Sequence, residues 1–109
     1  MDRQQRRANR YDKTLTRGES RELSVDCSPV GYVDIRDDSV ALTVEIDTPT
    51  GKKERTPTDD SVTVEDARSV SVTFTPEHPG VYRLRVFVTD DETTTAVPTD
   101  GPIAIWVQP

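Results

Sequence analysis

Residues 70–89, VSVTFTPEHPGVYRLRVFVT, decide the fold. Val70, Val72 and Phe74 alternate with Ser71, Thr73 and Thr75. Beyond Pro76-Glu77-His78-Pro79-Gly80, the residues Tyr82, Leu84, Val86 and Val88 alternate with Arg83, Arg85, Phe87 and Thr89. A period of two marks a strand with one buried face and one outward face. Between the runs, Pro76 and Pro79 withhold ladder donors, and Gly80 permits a backbone conformation that other residues resist. The stretch predicts two strands joined across a corner between the layers of a sheet sandwich.

The same rule, carried outward, finds further strands. In 21–27, Leu23, Val25 and Cys27 face one way and Glu22, Ser24 and Asp26 the other; in 40–47, Val40, Leu42, Val44 and Ile46 face inward. Thr48-Pro49-Thr50-Gly51 is a tight turn, from which 52–56 returns as a ragged, charged edge strand whose charges discourage edge-to-edge pairing. A short strand over 62–65 turns through Asp66-Ala67-Arg68 into the opening stretch, and 103–108 is the last strand, stopped by Pro109. Residues 30–38 read as a loop with a short extended piece at 32–35, 90–95 as a polar connection, and 98–102 as a break in regular pairing. Residues 1–17 are expected to be a flexible basic arm with a short edge strand over 11–17, and 18–109 a sandwich of about seven antiparallel strands. The class is all-β.

At 109 residues the chain suits one hydrophobic core. Its 32% hydrophobic and 31% charged content is close to what a disordered chain carries, but the apolar residues are concentrated in alternating runs, and 14 Val with 15 Thr favour strands. The net charge of -6 is uneven, because Arg3, Arg6, Arg7 and Arg10 stand against Asp2 in the first ten residues. The remaining body is therefore more acidic than the whole, and repels nucleic acid and membrane surfaces. Arg outnumbers Lys by 11 to 3, which suits either a GC-rich genome or a salt-loving host. Cys27 has no second cysteine to bridge to, and no apolar run approaches the ~20 residues of a membrane span. No secretory h-region follows Met1, so synthesis in the cytoplasm without a signal peptide is expected.

Catalytic chemistry has little to work with. His78, the one histidine, sits between prolines in a corner, and the serines have no histidine or lysine at a suggestive spacing. Cys27 falls on an inward face, where a thiol is inert. Asp37-Asp38 and Asp90-Asp91-Glu92 lack the alternating spacing of a dedicated calcium loop and read as solvated loops. No enzyme activity, cofactor or metal is expected.

The corner Phe74-Thr75-Pro76-Glu77-His78-Pro79-Gly80-Val81-Tyr82-Arg83-Leu84 resembles the corner between the fifth and sixth strands of immunoglobulin-like domains. That resemblance implies that the Tyr82 hydroxyl turns back onto the corner backbone, with Leu84 where antibody domains carry their second cysteine. More of the chain is similar to the small immunoglobulin-like structural proteins of tailed prokaryotic viruses. The shared features are a Gly-opened strand (18–25), an alternating strand ending in Pro-x-Gly (40–51), the Phe-Thr-Pro and Pro-Gly-Val-Tyr-Arg corner, and a last strand closing with Val-x-Pro (107–109). The long 30–38 loop and the basic arm depart from that pattern, and similar strings occur in bacterial surface modules.

The resemblance implies a virion component of the capsid or head-to-tail region, in many symmetric copies, with other virion proteins as partners. Arg3, Arg6, Arg7 and Arg10 are the candidate docking arm; without interleaved aromatics they offer attachment rather than nucleic-acid recognition. If Ile103, Ile105 and Val107 face the core, Trp106 faces outward, and with Arg83, Arg85 and Phe87 it makes a candidate interface. The alternative is that the N-terminal segment or a loop covers Trp106. An adhesion or carbohydrate-binding module is the competing function, resting on Trp106 or Tyr32; a small hydrolase or metal enzyme would have to rest on His78 or on residues 90–92.

Overall fold

Nine strands form two sheets packed face to face within residues 11–31 and 33–109, the part of the chain described by this computed structural model. In chain order they are β1 (Lys13–Thr16), β2 (Arg21–Asp26), β3 (Val40–Thr48), β4 (Gly51–Arg55), β5 (Val62–Asp66), β6 (Ser69–Phe74), β7 (Gly80–Asp90), β8 (Thr93–Val97) and β9 (Ile103–Gln108). The larger sheet runs β1-β9-β7-β3-β4, with β8 also pairing β7, and the smaller runs β2-β6-β5. Every pairing is antiparallel except that of β1 with β9.

The corner lies where the alternation places it, since β6 belongs to the smaller sheet and β7 to the larger. Gly80 holds φ +131, and a Cβ there would stand 2.9 Å from Cγ of Pro49, in the turn between β3 and β4. Both conditions call for glycine. The Tyr82 hydroxyl donates to the His78 carbonyl at 2.7 Å and accepts from the His78 N–H at 3.2 Å, so the buried phenol fastens the corner it follows. The Phe74 and Tyr82 rings meet edge to face with centroids 5.1 Å apart.

Val44, Val70, Val72, Leu84, Val86, Val88, Ile105 and Val107, all predicted to face inward, are fully buried. Each contributes about 1.5–3 kcal/mol by leaving water. Val40, Val64 and Ile103 are half-buried at the margins of that core.

Ser71, on the row expected to face outward, is buried at 2% exposure, and three further departures concern whole segments. Residues 93–97 form a strand instead of a polar connection: β8 pairs β7 from Val86↔Val97 to Asp90↔Thr93, and Asp91 makes the turn at φ 63. Three threonines carry no apolar alternation, yet they are β-branched and need only Val97, 1% exposed, as an anchor. Second, residues 33–35 are not a strand; the buried Ile35 is tied to the β5–β6 turn by its N–H to the Ala67 carbonyl at 3.0 Å. Third, nine strands are present within the described residues: β1 is the edge strand expected within 11–17, and β8 brings the sandwich over 18–109 from the expected seven strands to eight.

Candidate interaction surfaces

The outward face of the larger sheet carries the predicted interface residues, and the strand register separates them. Trp106 lies beside Thr14 of β1 and Val81 of β7. Arg83 lies between Ala104 and Asp47, Arg85 beside Glu45, and Phe87 between Thr43 and Ala96. From Val81 to Phe87 the strand rises about 20 Å at ~3.3 Å per residue. Trp106 and Phe87 therefore belong to opposite ends of the sheet, with two charged rows between them, and do not share a patch.

Each residue has its own surroundings. The Tyr11 ring stacks on Trp106 at a centroid distance of 5.9 Å and an interplanar angle of 26°, so the N-terminal segment covers part of the indole. Tyr11 itself is 39% exposed. Asp12 fixes this arrangement, donating its N–H to the Ala104 carbonyl and accepting the Ala104 N–H at its carboxylate, both at 2.8 Å. Arg85 is committed to the segment between β8 and β9. Its Nε and Nη2 donate to the Pro98 carbonyl at 3.1 and 2.9 Å, and Nη2 also reaches the Thr99 carbonyl at 3.3 Å. Arg83 is exposed and Phe87 half-buried. Arg3, Arg6, Arg7, Arg10 and Tyr32 lie outside the described residues.

The acidic loops act as fasteners. Asp26, Asp37 and Asp59 each accept both the N–H and the Oγ of the serine two residues on, and those bonds hold their carboxyls below the usual aspartate range. Asp34 is lowered to about 2, chiefly by the Arg36 guanidinium that it accepts at 2.9 and 3.0 Å. Asp37, half of one candidate calcium pair, is thus committed to Ser39. No group of three or more His, Cys, Asp or Glu within the described residues is placed to hold a metal ion. Burial, with Asp26 beside it, pushes the Cys27 thiol up to about 11, which keeps it protonated and unreactive.

Sequence reasoning missed a cleft. Between β4 and the corner lies a recess of about 280 Å³. Its deep wall is Ile46, Phe74 and Tyr82, all buried. Lys53 and Arg55 line it from β4, Asp59 from the loop that follows, and Glu77 and His78 from the corner. Arg55 donates to Asp59 at 3.1 Å, whereas Lys53 pairs with nothing within the described residues. The signal in the sequence was the alternation Lys52, Lys53, Glu54, Arg55, which directs two cations to the inner side.

No helix within the described residues is long and apolar enough to cross a membrane. Neither a protein-family model nor a curated protein sequence matches this chain.

Proposed function

We propose that the chain is a non-enzymatic structural protein of a tailed prokaryotic virus, an immunoglobulin-like module attached to the capsid or head-to-tail region. The observation that carries this reading is the corner, where the Tyr82 hydroxyl bonds back to His78 across Pro79 and Gly80. That bond has the geometry of the tyrosine corner of immunoglobulin-like sandwiches. The strand order supports the same reading. With β2 taken as strand B, the smaller sheet reads B-E-D, and β9, β7 and β3 read G-F-C with β4 as an added C′ strand. The sequence resemblance supplies the viral setting.

The mechanism is repeated symmetric contact. Arg3, Arg6, Arg7 and Arg10 attach to an acidic neighbour while an exposed sheet face or edge seats the sandwich. Mass spectrometry of purified particles tests it: the chain is expected in stoichiometric copies with the head or head-to-tail proteins. Its absence from every structural fraction would overturn the reading. Deletion of residues 2–10 is expected to leave a folded sandwich that no longer assembles.

One observation favours carbohydrate binding as a second reading, namely the stacked Tyr11–Trp106 pair on an open sheet face. Titration with oligosaccharides while Trp106 fluorescence is followed separates the two, since a glycan seated on the pair quenches or shifts the emission.

A further inference from the structure

We infer that the recess between β4 and the corner is a docking site for an extended acidic segment of a partner protein, which adds a strand to the β4 edge and places a carboxylate beneath it. Three observations converge. First, β4 ends its sheet within the described residues, so one edge of its backbone lacks a ladder partner. Second, the recess that Lys53 and Arg55 of β4 line, about 280 Å³, admits a side chain from a strand laid along that edge. Third, the wall that β4 gives the recess is cationic. Lys53 stands opposite Ile46 and Arg55 opposite Val44 in the β3–β4 register, which puts both on the inner side of the strand. Arg55 is held by Asp59, which leaves Lys53 as the cation that an incoming carboxylate meets.

The occupant follows from the chemistry. Lys52, Lys53 and Arg55 concentrate cations in one strand of an otherwise acidic body. Charges on an edge strand ordinarily repel other strands. Here they repel apolar and basic strands and admit an acidic one, which is specificity built from both repulsion and attraction. Glu77, at the corner side of the recess, repels a carboxylate that enters off the β4 edge. This site does not depend on the viral reading.

The full-length chain, labelled with ¹⁵N, is titrated with a synthetic peptide of about eight residues alternating glutamate with valine, and with its glutamine counterpart. The glutamate peptide is expected to shift the amides of β4 and to bind roughly tenfold tighter than the glutamine peptide, as one charge-assisted hydrogen bond in a partly enclosed site provides. Lys53→Gln should weaken it about tenfold. Lys52→Gln removes the same charge from the opposite side of the strand, where Lys52 pairs Asp47 and reaches Glu45 at 3.5 Å, and should change affinity less than about twofold. Methylating alternate peptide nitrogens should abolish binding by removing ladder donors. Equal binding of the glutamine peptide, equal effects of the two lysine variants, or indifference to N-methylation would each overturn the proposal. So would saturation of the recess by acetate or inorganic phosphate with no binding of the peptide, which would make it a small-anion pocket.

Discussion

The two edges of the larger sheet are held in place by different means. At one edge β1 lies parallel on β9, buries Leu15 to 1% exposure and carries Tyr11 onto Trp106. At the other, β4 has no buried residue and is joined to β3 by the short turn at Pro49-Thr50. The difference follows from loop closure. A hairpin strand is returned to its partner by a two-residue connection at small entropic cost, so it tolerates an exposed, charged sequence. Strands β1 and β9 come from opposite ends of the described chain, and their pairing needs a buried anchor to offset the order it imposes. An edge that needs no core residue is free to carry charges over an open recess.

Removing the anchor has the largest expected effect. Leu15→Ala should destabilise the domain by about 2–5 kcal/mol, the usual range for emptying a core leucine site. In thermal melts it should also shift Trp106 emission toward that of a more solvated indole as Tyr11 departs. A loss below about 1 kcal/mol would show that the ladder alone holds β1. On the β4 side, Gly80→Ala is expected to cost about 1–3 kcal/mol, because it forces a non-glycine residue to φ +131 and drives a Cβ against Pro49. Chemical denaturation measures it, and a neutral result would mean that the turn between β3 and β4 shifts freely.

Acid should act on both edges and unequally. Glu19 accepts the Thr16 N–H at 3.0 Å at the end of β1, and Asp59 accepts Arg55 at the end of β4. The backbone bond from Thr16, then Arg21, lowers the Glu19 carboxyl, and Ser61, then Arg55, lowers that of Asp59. A lowered folded-state value means that the unfolded chain takes up protons first as pH falls. The stabilisation is therefore fully present above the ordinary carboxylate range of about 4 and disappears as pH drops through the folded values. Hydrogen exchange between pH 5 and pH 3 should show β4 amides losing protection before those of β1, which keeps Leu15. The reverse order would break the comparison. The smallest effect is expected for Lys53→Gln in the free protein, where stability should stay within about 0.5 kcal/mol.

The strands of the corner were legible because their alternation is local, as Tyr82, Leu84, Val86 and Val88 illustrate. Leu15 and Val97 joined the core without such a signal. Each is a single apolar residue in a polar segment, and whether one side chain reaches the core depends on where distant strands place its backbone. The candidate interface shows the same limit. Period-two reasoning put Trp106 and Phe87 on one face, but nothing local reports the offset between β9 and β7, and the register sets their levels about 20 Å apart by the rise of the strand.

By itself the sequence determined the all-β class, the corner at residues 75–80, the inward rows of β3, β6, β7 and β9, and the burial of Cys27. These depend on alternation, proline and glycine, which act within a few residues. Only the tertiary structure decided that β1 lies parallel on β9, that Arg85 is committed to the Pro98 and Thr99 carbonyls, and that a recess lined by Lys53 and Arg55 opens between β4 and the corner. Those outcomes depend on which segments meet across the sandwich and in what register, and that is set by the packing of the two sheets together.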